Sequence, residues 1–458
     1  MSDLLTLLNT GASSLAAQRA AMQTAAHNLQ NANTPGYARQ RVAIEATLPG
    51  DRMGHAWIGR GAILGAVTQS RDRFLEAQIP GQLGEAARND TAARALEAVS
   101  VLDPEASGGL GEALSGFYSA LRALSQNPGD TVLRQSAIGT ARTLGLAFNR
   151  TRGALEDART GADAKLGGAV GEVNDLARSV ADLNLQIRAA RAGGVGEPND
   201  LLDARQKAVD RLAEVAGGVP VPTSEGDVNV ALPGGLALVT GGAAASLSLA
   251  PDAANGGHLA ISLVTPGGSR VPAAPGGELG GLLDARDGAL GDAVRSVDQL
   301  AWDLAGAVNA VHRAGTGLDG STGQDLLDPG ATQDGAAARF AVASAVLADH
   351  RRLATARGGG SGDGANALAL VATETSADPH GALSRVIGQF GAAARGVRAA
   401  ADQALGLRDH LATMREAASG VSIDEELIEM QKAQRAFQAI SKVIQASSEM
   451  FDTLLQLK

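Results

Sequence analysis

Apolar residues recur at alternating four- and three-residue steps at both ends of this chain, which is the spacing of a coiled-coil seam rather than of a globular surface helix. Near the start the series is Leu4, Leu8, Gly11, Leu15, Gln18, Met22, Ala25 and Leu29. Near the end it is Ile423, Leu427, Met430, Gln434, Phe437, Ser441, Ile444, Ser448, Phe451 and Leu455. Chain ends are ordinarily the least apolar and least ordered parts of a domain. Two terminal seams therefore imply ends that pair with each other, with neighbouring copies, or with both. The large apolar members of both series are the candidate interface residues.

The second seam is punctuated as a real helix. Ser422 followed by Glu425 has the capping-box spacing, and Asp424, Glu425 and Glu426 crowd the first turn, where the helix dipole favours negative charge. No Pro or Gly interrupts Ile423 to Leu457, so the helix can reach roughly 50 Å at about 1.5 Å per residue. The first helix should stop at Thr34-Pro35-Gly36, because Pro35 disfavours helical geometry in the residue before it and Gly36 tolerates positive φ. Asn28, Asn31 and Asn33 approach this stop, more asparagines than one cap needs, and they offer donors and acceptors to exposed carbonyls or to another chain.

Between the seams, hydrophobic period and breakers divide the chain. Short extended segments are expected around Val42 and Ile44 and around Ile58, Ile63 and Val67; long helices run from Leu75 to about Gly217, broken at Asp103-Pro104, Asn127 to Asp130 and Gly193 to Pro198. Within that layer, Glu172 to Arg191 reads as one amphipathic helix. From about Val219 to Gly280, alternating segments such as Val228-Val230-Leu232 and Leu259-Ile261-Leu263 are separated by Gly-rich turns, and helical pattern resumes at Leu282. The expected fold is mainly α with a small all-β insert, nested and discontinuous. Residues 1–60 and 420–458 form a terminal coiled-coil domain, 61–216 and 281–419 a long-helix bundle, and 217–280 a β-rich outer domain at the tip.

Function classes fall away one by one. With 458 residues, a net charge of −10 and no contiguous basic run, the chain lacks the clustered cations that hold nucleic acid. No apolar run approaches the roughly 20 residues of a membrane helix, and Met1-Ser2-Asp3 lacks the layout of a cleavable signal. Zero cysteines excludes disulfides and thiolate metal sites. The seven histidines are scattered and read as solvated or helix-surface residues; none stands in an HExxH spacing. Gly315 to Gly320 matches GxGxxG but follows a helix where a dinucleotide site needs a strand, so a tight turn is expected. Asp319, Ser321 and Asp325 only loosely resemble a calcium loop. Asp424, Glu425 and Glu426 are accounted for as dipole and capping residues. No catalytic residue, metal site or cofactor is expected.

Two stretches carry a family resemblance. Asn28-Leu-Gln-Asn-Ala-Asn-Thr-Pro-Gly-Tyr37-Ala-Arg-Gln resembles the N-terminal signature of bacterial flagellar rod, hook and hook-associated proteins, with Asn28, Asn31, Asn33, Pro35, Gly36 and Tyr37 as its motif residues. Ser419 to Glu426 with Gln434 to Ala439 resembles their C-terminal signature. Interior runs, including Pro198 to Arg205, Gly281 to Arg286 and Val308 to His312, are similar to the hook-associated protein 1 family at the hook–filament junction. The resemblance implies a non-enzymatic structural protein, exported by the flagellar type III path to the extracellular flagellum. It also implies as partners further copies of the chain, the hook protein, the second hook-associated junction protein and an export chaperone on the C-terminal helix. Another axial component of hook or distal-rod type is the alternative, and a secreted enzyme a more distant one. Gly11, Gln18, Gln434, Ser441 and Ser448 weaken an isolated helix pair, so the ends are expected to be poorly ordered until assembly adds neighbours.

Overall fold

A computed structural model describes residues 2–47, 51–53, 56–58, 61–102, 108–194 and 196–456, with side-chain surroundings outside 2–5, 51–53, 56–58 and 454–456. The expected break at Asp103-Pro104 lies outside the described residues, as do the side chains of Leu4, Ile58 and Leu455. The chain opens with α1 (Ser2–Gln30), followed by β1 (Gln40–Ala46), the short pair β2 (Asp51–Met53) and β3 (Ala56–Ile58), and β4 (Ala62–Gln69). β1 and β4 pair antiparallel, Gln40 opposite Gln69, and α1 packs along them.

The helical layer follows as α2 (Arg73–Glu97), α3 (Leu110–Gln126), α4 (Thr131–Ala192) and α5 (Asn199–Ala216). Asp130 caps α4 by accepting from Val132 N at 2.7 Å and Leu133 N at 3.1 Å. The next break is the Gly193 to Pro198 turn. No proline falls between them, so α4 is one helix of 62 residues, about 93 Å long. The separate helix expected over Glu172 to Arg191 is its last third: Gly139, Gly153, Gly167 and Gly171 blur the apolar period without breaking the backbone.

The β segment comprises β5 (Val219–Pro222), β6 (Val228–Ala231), β7 (Ala237–Thr240), β8 (Ala243–Ala244), β9 (Ser246–Pro251), β10 (Leu259–Val264) and β11 (Arg270–Pro272). They form a four-stranded sheet, β5-β6-β7-β8, and a three-stranded sheet, β11-β10-β9. Period-two alternation turns Val230, Leu232, Leu238, Leu247, Ile261 and Leu263 into one core with Leu166, Val173 and Val180 of α4 and Leu212 and Val215 of α5. This corrects the expected placement at the tip. Asn184 of α4 donates to Val228 O at 3.0 Å and Gly241 O at 2.8 Å, and Asn199, where α5 begins, donates to Val67 O of β4 at 3.0 Å. The sheets therefore lie along the half of α4 nearest the chain ends.

α6 (Gly277–Leu283) leads through a wide turn, kinked at Gly288, into α7 (Gly291–Arg313). Short elements β12 (Leu327–Asp328), α8 (Ala336–Arg339), β13 (Ala341–Val342) and α9 (Ser344–Ala348) precede α10 (Ala365–Ser376), α11 (Pro379–Ser419) and α12 (Ile423–Gln456). The first half of α4 shares a second core with α3, α7, α10 and α11, built on Phe117, Leu121, Phe148, Leu304 and Phe340. The opposite end of the molecule is thus helical.

Two histidines depart from the expected solvated role. His258 is buried with Nδ1 at 2.8 Å from Asp163 and Nε2 at 2.8 Å from Glu156, joining β10 to α4. His312 is buried with Nδ1 at 2.7 Å from Gln324 O, while its Nε2 accepts from Ala354 N at 2.9 Å, bracing two loops. Residues 315–320 form a turn in which Gly320 N bonds Gly317 O at 3.1 Å, and Asp319 accepts from Ser321. Among the described residues, no group of three or more His, Asp and Glu converges on a metal site.

Candidate functional site

The two chain ends meet where α1 stops and α12 starts. Asn28 is 1% exposed and uses its whole amide. Its Nδ2 donates to Gln40 O at 2.8 Å and Glu426 Oε2 at 3.0 Å. Its Oδ1 accepts from Gln40 N at 2.9 Å and the Tyr37 hydroxyl at 2.7 Å. Two donors and two acceptors are all an asparagine side chain has. α1 ends at Gln30, a turn ahead of the stop expected at Thr34-Pro35-Gly36, and the loop from Asn31 to Ala38 closes through successive turns, Thr34 N to Asn31 O and Tyr37 N to Thr34 O, with Gly36 at φ 83°. That turn swings Tyr37 back over the helix end, with its ring edge-on to His27 at 5.6 Å. Having given its proton to Asn28, the Tyr37 hydroxyl accepts from His27 Nδ1 at 3.0 Å. Burial, with Asp200, Asp203 and Glu426 nearby, pushes Tyr37 far above its ordinary pKa and keeps it a donor.

Arg39 completes the junction. Its Nε bonds Glu426 Oε1 at 2.6 Å and its Nη1 bonds Glu425 Oε2 at 2.6 Å. Burial opposes its charge, but the hydrogen bonds to Glu425 and Glu426 and their charges outweigh this and raise its pKa. The expectation that Glu425 and Glu426 serve only as dipole and capping residues is corrected. Glu425 N does approach Ser422 Oγ at 3.5 Å, yet both carboxylates are turned onto Arg39, and Glu426 is buried.

The polar network continues inward. Gln69 donates to Asp203 at 2.8 Å and to Asn199 O at 2.8 Å, Arg71 pairs with Asp203, and Arg71 and Arg415 each sit 3.2 Å from Glu76. Arg415 also holds Asp210 at 2.8 Å. Burial, against the pull of Arg415 and Arg71, raises Glu76, and burial likewise raises Asp203 against Arg71. One chain of contacts thereby ties both ends to α2, α5 and α11.

Of the N-terminal motif residues, Asn28 and Tyr37 enter this junction. Asn31 Nδ2 holds His27 O at 3.0 Å as a local cap, while Asn33, Pro35 and Gly36 are exposed. α1 packs along α12, on which Glu426, Ala433 and Ser447 are buried and Met430, Ala436, Phe437, Ile440, Ser441, Ile444 and Phe451 half-buried. The sequence series shares Met430, Phe437, Ser441, Ile444 and Phe451 with this seam, but its Leu427, Gln434 and Ser448 lie one residue from the buried Glu426, Ala433 and Ser447. Ile423 and Leu427 are exposed instead, as are Ile428, Val443 and Met450. On α1, Leu8, Leu15, Met22 and Leu29 are half-buried, and Ala17 and Ala25 fully buried. The small residues decide the register. A Cβ on Gly11 would stand 2.6 Å from Ile444 Cγ1, so the two backbones approach more closely than Leu-filled layers allow. Arg39, Gln40, Asp203 and Glu426 escaped the sequence reading as site residues. Their signal was an acid, Glu426, falling in phase with Met430 and Phe437.

The helix from each end of the chain and the junction at its base coincide with the two segments that place the chain among flagellar axial proteins. Residues 8–37 match the family model of flagella basal body rod proteins, and 416–457 that of the C-terminal region of flagellar basal body rod FlgEFG proteins. Residues 97–327 match the helical domain of flagellar hook-associated protein FlgK, and the chain belongs to that family. It is 31% identical over 329 residues to flagellar hook-associated protein 1 of Salmonella typhimurium, a match covering 71% of this chain and 59% of that protein. With the protein of the same name from Bacillus subtilis it shares 29% over 496 residues, covering 98% and 97%. The solved flagellar hook junction protein FlgK of Burkholderia pseudomallei superposes with a TM-score of 0.50 at 27% identity, over 56% of this chain and 47% of that one.

Proposed function

We propose that this chain is a structural subunit of the bacterial flagellum that forms the layer joining hook to filament, and that it performs no catalysis. The observation that carries the reading is the terminal pair itself. It is anchored at one end by the buried Asn28, Arg39 and Glu426 cluster, yet leaves Ile423, Leu427, Ile428, Val443 and Met450 exposed along α12. A monomer gains nothing from that apolar surface, whereas a tubular polymer buries it between copies. The six apolar seam residues of α12 whose surroundings are described then divide into two groups. Met430, Phe437, Ile444 and Phe451 face α1 in the same subunit; Ile423 and Leu427 face neighbours. On this reading the partners are copies of the chain, the hook protein below and the second junction protein above. A chaperone covers α12 before export, and the working location is the extracellular flagellum.

Electron microscopy of a deletion strain tests this. Hooks should persist without filaments, and a plasmid copy should restore filaments. Cells that lack hooks, or that keep normal filaments, refute the assignment.

A further inference from the structure

One phenylalanine is out of place. Phe117, Phe148, Phe340 and Phe390 are buried and Phe437 and Phe451 half-buried, but Phe74, in the first turn of α2, is 84% exposed. On α2 the same face continues through Ala77, Gln78 and Gly81, all exposed, and a Cβ on Gly81 would meet nothing within 4 Å. The aromatic ring thus stands at the end of a shallow, small-residue face that another element can approach closely.

The other side of α2 carries a hole. A groove of about 610 Å³ lies between α2, α5, α11 and the Pro35-Gly36-Tyr37 turn, with Tyr37, Ile79, Leu83 and Leu411 supplying its apolar surface. Ile79 and Leu83 are five and nine residues beyond Phe74, about 140° and 180° round the helix. Charge offers one pairing. Among the described residues Arg73, exposed beside the knob, has no carboxylate partner, and of the charged groove residues Arg211, Arg408 and Arg415 are already paired with carboxylates while Lys207 and Glu416 have no partner of opposite charge.

We infer that Phe74 of one copy docks into the groove between α2, α5 and α11 of the next, with Arg73 meeting Glu416. A knob and its hole on opposite faces of one helix make a head-to-tail contact, which propagates into a ring or helix instead of closing as a dimer. The inference rests on the assembly reading above, and adds to the terminal helices a second layer of lateral contact at larger radius.

The absence of native cysteine makes the test clean. A strain producing two full-length variants, Gln78→Cys and Ala412→Cys, is grown to form flagella, and isolated hook-tip structures are oxidised and analysed by mass spectrometry. A disulfide between Cys-bearing positions 78 and 412 of different copies is expected. Phe74→Ala, Arg73→Glu or Glu416→Arg should each lower its yield about tenfold, and the Arg73→Glu with Glu416→Arg double variant should recover it. If the chain is present at hook tips without this cross-link, or position 412 joins a different protein, the contact is wrong while the junction assignment stands. If the chain is absent from hook tips, both fall.

Discussion

Asn28→Ala should unlock the base of the terminal helix pair. The substitution removes four hydrogen bonds at once and strands the Tyr37 hydroxyl, the backbone of Gln40 and one oxygen of Glu426 in a site where Asn28 itself is 1% exposed. An ordinary hydrogen bond contributes about 1 kcal/mol net and one to a charged group about 1.5–3 kcal/mol, and water entering the opened site recovers part of the sum. A loss of about 3 kcal/mol follows, close to two decades in the opening equilibrium. Hydrogen exchange of the amides of residues 426–434 reads that equilibrium locally. Asn31→Ala is the control, because its amide only caps His27 O and meets Thr34 at an exposed loop. In a double-mutant cycle, Asn28→Ala and Glu426→Gln should cost less together than the sum of their separate effects, since both break one bond. Unchanged exchange in the Asn28 variant, or an equal loss in the Asn31 control, would refute the argument that this amide locks the two ends together.

Further outcomes follow from the same contacts. Gly11→Leu should force α1 from α12 and abolish filament restoration in a complementation assay, while Gly11→Ala should be rescued by Ile444→Ala, which clears the atoms its Cβ would strike. Because the folded-state pKa of Glu76 lies above its unfolded value, the folded state takes up the proton first. Wild type should therefore gain stability relative to Glu76→Gln as pH falls from neutral toward the ordinary glutamate range of about 4.3, measured by paired urea titrations. His312→Ala should cost about 2 kcal/mol in urea unfolding, since it leaves Ala354 N and Gln324 O unpartnered in a buried site. Limited proteolysis of the free subunit should cut near Lys442 well before the α2 to α7 layer, because on that stretch of α12 only Ala433 and Ser447 are fully buried while Phe437, Ile440 and Ile444 remain partly open to solvent; equal resistance would remove the role given to assembly.

What could be read in the sequence depended on whether a local pattern had one solution. Asp130 after Pro128-Gly129 and the Pro35-Gly36 turn are such cases, because capping and φ are decided within a few residues. The β segment was legible for the same reason, since turn chemistry and period-two alternation coincide over Val228 to Leu263. Its placement was not, because nothing local in Asn184 announces that it will bond β6 at Val228 and the β7–β8 turn at Gly241, more than forty residues away. The α12 seam had two solutions. Positions 430, 437, 444 and 451 belong to both a series through 427 and 434 and a series through 426 and 433, and side-chain hydrophobicity favours the first at Ile423 and Leu427. The second wins against α1 because Ala433 and Ser447, facing an α1 that presents Gly11, Ala17 and Ala25, allow close backbone approach, and because Glu426 then reaches Arg39 and Asn28. The losing series keeps its apolar residues at the surface. A sequence that satisfies one seam within the chain and retains the remnants of another outside it is the pattern required of a helix that must serve its own subunit and its neighbours together.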